Sequence, residues 1–227
     1  MSAFWLKWMA LASMLIDHIG AVFFGDFTVR AFGADWEILR IVGRLAFPIL
    51  AFQIAQGAAH TSNWKKYALR LLVFGLVSEL PYDLALHGGV DWTNQNVYFT
   101  LLLGLLAIEA DMKWTARDWK AGRFKGIVFA ALLMLLAFII GSDYGGFGVL
   151  MIYWFYLAGS DSLMMAGGIA AINFVLGRIQ AFGVLALIPI SLYNRKLGYH
   201  WPWLQYTCYL FYPVHLAVLA AVRAVAG

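Results

Sequence analysis

Long apolar stretches, each close to the length that crosses a lipid bilayer, constrain this chain more than any other feature. A hydrocarbon core about 30 Å thick requires about 20 apolar residues in a helix that rises about 1.5 Å per residue. Charged residues, glycines and prolines divide the 227-residue chain into roughly nine such segments. We predict helices over 4–24, 37–59, 64–84, 95–112, 124–141, 145–160, 162–177, 179–194 and 203–226.

The expected fold is all-α, a polytopic transmembrane helical bundle. Only 12% of the residues are charged, about half the share found in a soluble domain. The stretch from 145 to 194 has only weak internal breaks, so about eight to ten spans are compatible with the sequence. Because no internal repeat or low-complexity stretch divides the chain, we expect a single domain over residues 1–227.

Lysine and arginine are distributed unequally between the loops, and this bias predicts the orientation. With the N-terminus in the cytoplasm, the opposite loops hold only Arg30 and Arg178. The cytoplasmic loops hold Lys65, Lys66, Lys113, Arg117, Lys120, Arg123, Lys125, Arg195 and Lys196. We expect a multi-pass protein of the bacterial inner (cytoplasmic) membrane. The net charge of +4 then reflects topology, and no nucleic acid is expected as a partner.

Ionisable residues inside the apolar segments are the candidates for function. Each costs about 3 kcal/mol or more in lipid unless a partner or water compensates it. The stretch MLIDHIGAVFF places Asp17 and His18 within the first segment. The other deep polar residues fall at the same outer level of their segments, and they include Arg40, Arg44, Glu79, Asp83, Asn96, Asp143, Gln180 and His215. We expect a near-neutral cluster in which arginines balance carboxylates.

Structural explanations of the same residues remain open. Arg40 and Arg44 could serve only as partners of Glu79 and Asp83. An aspartate before a helix can be its N-cap, and a histidine can bond a carbonyl in the core; these alternatives apply to Asp143 and His215. His18 is the preferred chemical group, because an imidazole titrates near neutral pH. No metal is expected, since the histidines lack metal-ligand spacings such as HExxH.

Several motifs carry a family resemblance that extends from about Leu6 to about His215. They are LKWMALASMLIDHIGAVFF, LRIVGRLAFPILAFQIAQG, RLLVFGLVSELPYDL, NVYFTLLLGLLAI, DYGGFG, QAFGVLALIPISLYN and YLFYPVH. On these motifs the chain resembles the TraX family of F-pilin acetylase-like membrane acetyltransferases. FPILAF carries a weaker similarity to transmembrane acyltransferases such as heparan α-glucosaminide N-acetyltransferase.

The resemblance implies transfer of an acetyl group from cytoplasmic acetyl-CoA to an amine or hydroxyl. The acceptor would be reached from the outer side of the membrane or from the bilayer; a pilin-like peptide N-terminus, a glycan and a small molecule all stay open. The family's motif positions fall on Asp17, His18, Arg40, Arg44, Glu79, Asp83, Asn96, Asp143 and His215. His18 would be the general base, oriented by Asp17 or another acid.

Acetyl-CoA is an anion, so its phosphates require basic partners on the cytoplasmic face. The candidates are Lys65, Lys66, Arg70, Lys113, Arg117, Lys120, Arg195 and Lys196. An arginine, Asn96 or Tyr98 would stabilise the thioester oxyanion.

Two other classes of protein compete with the enzyme. A proton-coupled secondary transporter needs polar residues through both halves of the bilayer. Here only Arg70 and Glu109 are expected in the inner half, which favours a cavity open to one side. A non-catalytic pilus or envelope assembly factor would not require so many ionisable groups. Membrane lipids are expected partners, and whether the protein forms a homo-oligomer stays open.

Overall fold

Helices make up most of the described chain, which covers residues 1–24, 28–31, 34–199 and 202–226 of a computed structural model. The α-helices are α1 (Ala3–Phe23), α2 (Ile38–Gly43), α3 (Ala46–His60), α4 (Trp64–Tyr82), α5 (Val97–Thr115), α6 (Trp119–Ile139), α7 (Gly145–Ala158), α8 (Ser162–Val175), α9 (Leu187–Ser191) and α10 (Pro202–Ala226). A π-helix (Asp83–His87) follows α4, and a 3₁₀-helix (Gln180–Ala186) precedes α9. The predicted helical fold is therefore confirmed.

A short hairpin is the exception among the described residues. Strands β1 (Val29–Ala31) and β2 (Ala34–Trp36) pair antiparallel.

The predicted segment 37–59 corresponds to the candidate span Ile38–His60, but a break divides it into two helices, which was not predicted. Pro48 has no N–H to donate to the Arg44 carbonyl, which is the bond a continuous helix would make there. The chain turns at Arg44 and Leu45, so α2 ends at Gly43 and α3 begins at Ala46. This break lies beside one of the predicted site residues.

Helix α6 also begins earlier than predicted, at Trp119 instead of residue 124. The Asp118 carboxylate accepts a hydrogen bond from the Ala121 backbone N–H at 3.0 Å and caps the helix. Lys120, Arg123 and Lys125 consequently lie on the helix and not in a loop.

Four helical stretches of the described chain are long and apolar enough to cross a membrane, and they are Ala3–Phe23, Ile38–His60, Trp119–Ile139 and Tyr206–Val225. Shorter apolar helices cover Gly145–Ala158, Ser162–Val175 and Gln180–Ser191. The protein is thus helical with several candidate spans, and the count of about nine stays a prediction.

The chain forms two compact units. The first consists of Met1–Leu50, Val77–Asp91 and Ala170–Gly227. In it, α1 packs against α2 and α10, the π-helix packs against α1 and α10, and the 3₁₀-helix packs against α2 and α9. The second consists of Ala51–Leu76 and Trp92–Ile169, and in it α5, α6 and α7 pack against one another. The single-domain prediction stays a prediction.

Candidate functional site

A carboxylate held between two guanidinium groups lies in the first unit. Asp17 on α1 is 8% exposed. Its Oδ2 accepts a hydrogen bond from Arg40 Nη1 at 2.7 Å, and its Oδ1 pairs with Arg44 Nη2. Arg44 Nε also donates to the Arg40 carbonyl at 3.1 Å, which fixes the second guanidinium against the first turn of α2. The predicted balance of a buried carboxylate by Arg40 and Arg44 is confirmed for Asp17.

The close approach of α1 and α2 brings these charges together. Gly43 packs directly against Asp17, and a Cβ at this position would overlap the carboxyl group. Ser13, one turn before Asp17, donates its hydroxyl to the Val42 carbonyl at 2.7 Å. The Val42 carbonyl also receives the Leu45 backbone N–H at 3.5 Å, so the shorter bond from Ser13 is the stronger of these two contacts at the end of α2. The four-residue spacing of Arg40 and Arg44 then directs both side chains to one face.

Two buried amides extend this cluster. Arg44 Nη1 donates to Gln180 Oε1 at 3.2 Å, and Gln180 Nε2 donates to Asn173 Oδ1 at 2.8 Å. Asn173 is fully buried. The sequence places Gln180 at the level of the cluster without giving it a role, and the site prediction did not include Asn173. The signal that could have found them is an uncharged polar residue inside an apolar segment, which must be hydrogen-bonded when buried.

The imidazole of His18 meets a second imidazole. His18 Nδ1 lies 2.7 Å from His215 Nε2, the ring planes differ by 6° and the ring centroids are 5.0 Å apart. His215 Nδ1 lies 2.6 Å from the Phe211 carbonyl, one turn earlier on α10. The two rings are 8% and 7% exposed. The carbonyl contact allowed for His215 is therefore present, but it occurs together with the contact to His18.

Asp17 does not take the orienting role expected for it. Both of its carboxylate oxygens are bound by arginines, while the hydrogen bond of His18 goes to His215. Asp17 and His18 are adjacent in sequence, and adjacent helical side chains point about 100° apart. The pair consequently faces two different partners, α2 for the carboxylate and α10 for the imidazole.

Glu79 lies near the end of α4, and Asp83 lies in the π-helix that follows it. Asp83, in the π-helix, is 4% exposed; its Oδ2 accepts from the Asp91 backbone N–H at 3.0 Å. Its Oδ1 has no hydrogen-bond partner within the described ranges. Glu79 is half-buried in α4. Arg40 and Arg44 both pair with Asp17, and a partnership of these arginines with Glu79 or Asp83 stays a prediction.

Asn96 and Asp143 belong to the second unit. Asn96 Oδ1 accepts from the Tyr98 N–H at 3.0 Å and Nδ2 donates to the Gly75 carbonyl at 2.8 Å. This amide caps α5, and the oxyanion role expected for it stays a prediction. The N-cap position of α7 is Tyr144, one residue after Asp143, and the capping role of the Asp143 carboxylate stays a prediction.

The basic residues expected to bind acetyl-CoA are mostly exposed. Those in the second unit are Lys65, Lys66, Arg70, Lys113, Arg117 and Lys120, whereas Arg195 and Lys196 belong to the first. Arg70 differs from the others because it is half-buried, with its guanidinium 5.7 Å from the centroid of the Tyr67 ring. Within the described ranges, no group of His, Cys, Asp or Glu is placed to hold a metal ion.

A buried ion pair in the second unit was missed by the sequence analysis. Asp111 is fully buried near the end of α5 and pairs with Arg123 on α6. The Arg123 guanidinium lies 4.9 Å from the Trp119 ring centroid and 5.5 Å from that of Tyr156. The expectation that only Arg70 and Glu109 are charged at this end of the segments is therefore wrong.

Comparisons with known proteins agree on one family. The model of the family described as TraX protein matches residues 2–223. A relative from Dichelobacter nodosus, the probable fimbrial assembly protein FimC of serogroup H1, is 30% identical over 247 residues that cover 98% of this chain and 96% of the relative. No solved structure matches the chain.

Proposed function

The chain belongs to the TraX family, and from this we propose that it is an integral membrane acyltransferase. It would move an acetyl group from acetyl-CoA to an amine or hydroxyl of an acceptor. The observation that carries the proposal is the buried imidazole of His18, which lies next in sequence to a carboxylate bound by two guanidinium groups. Such a site offers a base and cationic hydrogen-bond donors together, the two components that acyl transfer requires.

His18 is the general base of the proposed reaction. The acceptor nitrogen or oxygen attacks the thioester carbonyl carbon while an imidazole nitrogen removes its proton. The bond between carbon and sulfur then breaks, and the thiolate of coenzyme A leaves with that proton. The products are an acetylated acceptor and the free thiol, and the imidazole returns to its starting state.

Arg40 is the better placed of the two arginines to stabilise the oxyanion. Arg44 uses Nε, Nη1 and Nη2 in hydrogen bonds to Arg40, Gln180 and Asp17. The hydrogen bonds of Arg40 within the described residues leave from Nη1 alone, to the side chain and carbonyl of Asp17. Its Nη2 thus has donors available for the developing negative charge, a contribution of about 3–4 kcal/mol in known oxyanion holes.

The proposed topology brings the donor from the cytoplasm. About nine spans with the N-terminus inside would place the basic residues, among them Lys65, Lys66, Lys113 and Arg117, on the cytoplasmic face of the bacterial inner membrane. The phosphates of acetyl-CoA would bind there. The acceptor would arrive from the other side or from the bilayer, and a pilin-like peptide N-terminus is the leading candidate because the Dichelobacter relative is named for fimbrial assembly.

A non-catalytic role in pilus assembly is the second candidate, because the name of that relative describes assembly and no reaction. The two functions differ in one measurable property, which is turnover of acetyl-CoA.

The test uses purified protein in lipid nanodiscs with radiolabelled acetyl-CoA and a hydrophobic peptide that has a free N-terminal amine. We expect labelled peptide, and we expect His18→Ala to lower its rate at least 100-fold, since general base catalysis contributes about 10²–10⁴. His60→Ala is the matched control, because His60 is an exposed histidine at the end of α3. Full activity of His18→Ala would reject the base assignment. Neither transfer nor acetyl-CoA hydrolysis by the wild-type protein would favour the assembly factor.

A further inference from the structure

The contact between the two histidines determines which ring nitrogens carry protons. A carbonyl oxygen only accepts hydrogen bonds, so His215 Nδ1, at 2.6 Å from the Phe211 carbonyl, must carry a proton. In a neutral His215, Nε2 then carries the lone pair. His18 Nδ1, which lies 2.7 Å from that nitrogen, must therefore be the donor between the two rings.

This series of hydrogen bonds leaves His18 Nε2 as the nitrogen that can accept a proton. A neutral His18 that is protonated at Nδ1 has its lone pair on Nε2. Within the described part of the chain, the side-chain hydrogen bond of His18 is the one made by Nδ1, so Nε2 is not occupied. The nitrogen that a general base needs is thus directed away from α10 and kept unprotonated.

We propose that His215 is a positioning residue that locks His18 in the Nδ1–H tautomer, using the Phe211 carbonyl as its own anchor. The proposal rests on the proposed acyltransferase for its consequence but not for its geometry. It assigns to His215 and to a backbone carbonyl the orienting role that a carboxylate has in many hydrolases.

The contact between the two imidazoles also allows His215 to take up positive charge when His18 accepts the proton of the acceptor. When His18 Nε2 takes a proton from the acceptor, its Nδ1 proton can move across 2.7 Å to His215 Nε2. His215 then carries the positive charge and still donates Nδ1–H to the Phe211 carbonyl. The proton that later leaves with the thiolate departs from His18 Nε2, and the Nδ1 proton returns, so no proton is gained or lost over the cycle.

Aromatic packing holds the two rings in register. The Tyr212 ring lies edge-on to both imidazoles, with centroid distances of 5.9 Å to His18 and 5.7 Å to His215. The Phe211 ring lies 4.8 Å from His215. Neighbouring charges do not compete for the inter-ring hydrogen bond, because Asp17 is bound by Arg40 and Arg44.

The direct test reads the tautomers by long-range ¹H–¹⁵N correlation NMR in nanodiscs, at a pH where both rings are neutral. The protein is labelled at histidine, and the three histidines other than His18 and His215 are replaced by glutamine. We expect Nδ1–H on both rings. A proton on Nε2 of His18 in the neutral pair would overturn the proposal, whatever the activity.

Two substitutions separate the positioning role from simple packing. His215→Gln can offer an amide oxygen near the former Nε2, so His18 should remain protonated at Nδ1 and acetyl transfer should fall by no more than about tenfold. His215→Phe keeps an aromatic ring but offers no acceptor, so His18 should shift to the Nε2–H form and transfer should fall about 100-fold or more. Equal activity of both variants, or an unchanged tautomer in His215→Phe, would contradict the proposal.

The outcomes also separate this inference from the proposed function. Nδ1–H tautomers in a protein that transfers no acetyl group would support the positioning role of His215 and reject the acyltransferase. Acetyl transfer with His18 protonated at Nε2 would do the reverse.

Discussion

At the scale of single residues, two buried aspartates of the first unit are compensated in different ways. Asp17 is bound by the guanidinium groups of Arg40 and Arg44, whereas Asp83 receives one backbone N–H from Asp91. Removing the charge of Asp17 would leave two partly buried cations facing each other. Removing the charge of Asp83 breaks no ion pair in the described chain.

We therefore predict that matched substitutions at these two aspartates change the free energy of unfolding by different amounts. Asp17→Asn should lower the free energy of unfolding by about 3 kcal/mol, the usual result when one partner of a buried ion pair is removed. Asp83→Asn keeps an oxygen for the Asp91 N–H and should change it by less than about 1 kcal/mol. Detergent-induced unfolding in mixed micelles measures both. A larger loss in Asp83→Asn than in Asp17→Asn would show that Asp83 has an ionic partner after all.

Sequence reasoning reached the charged part of this site and the level of Gln180, but it did not reach Asn173. Arg40 and Arg44 are four residues apart, so a helix directs both to one face, and a lone aspartate in a neighbouring segment is an obvious partner. Gln180 and Asn173 have no charge to balance and no periodic pattern, so only the three-dimensional packing reveals that Gln180 joins Arg44 to Asn173. The contact of His18 with His215 joins residues near the two ends of the chain, and residue types alone do not show that α1 and α10 bring these two rings together.

At the scale of helices, the sequence predicted the ends of the apolar segments better than the breaks and changes of helix type within them. Charged residues and glycines mark the ends of the apolar segments, so α1 and α7 lie within one or two residues of their predicted bounds. The break at Arg44 and the π-helix after Pro81 depend on which carbonyls lose a donor and find another, and a proline alone does not specify that.

Close packing of α1 on α2 provides the prediction at this scale. Gly43→Ala places a methyl group where the Asp17 carboxyl group lies, so either the carboxylate or the helix must move. We expect acetyl transfer to fall at least tenfold, because displacing Asp17 misplaces both arginines. Gly167→Ala on α8 is the matched control: a Cβ there meets nothing within 4 Å, and alanine favours a helix.

The comparison of these two glycine variants needs stability and activity together. Gly167→Ala should leave the transfer rate unchanged and unfold at the same or a higher detergent fraction. If Gly43→Ala has wild-type activity, the position of Asp17 is not important for the reaction.

At the scale of the whole molecule, the open question is how many helices cross the membrane. By length and composition, four helical stretches of the described chain qualify, whereas the apolar segments of the sequence predict about nine spans. The two arrangements differ in which loops share a side. With four spans, residues 61–118 would form one segment on the cytoplasmic side, so Trp92 would lie on the same side as Lys66 and Arg117. With nine spans, Trp92 lies opposite to both.

Labelling of single-cysteine variants distinguishes the two arrangements directly. In a Cys208→Ser background, which removes the native thiol, cysteine at position 66, 117 or 196 should react with a membrane-impermeant maleimide only after cell lysis. Cysteine at position 92 or 178 should react in intact cells. The native residues at these five positions are exposed, and Trp92 is 86% exposed. A lack of reaction in intact cells would therefore show that the membrane blocks the reagent and not that the cysteine is buried in the protein. Protection of position 92 together with 66 and 117, and labelling of 196 together with 178, would support four spans. That result would also separate the basic residues Lys66 and Lys196, which the proposed donor site requires on one face.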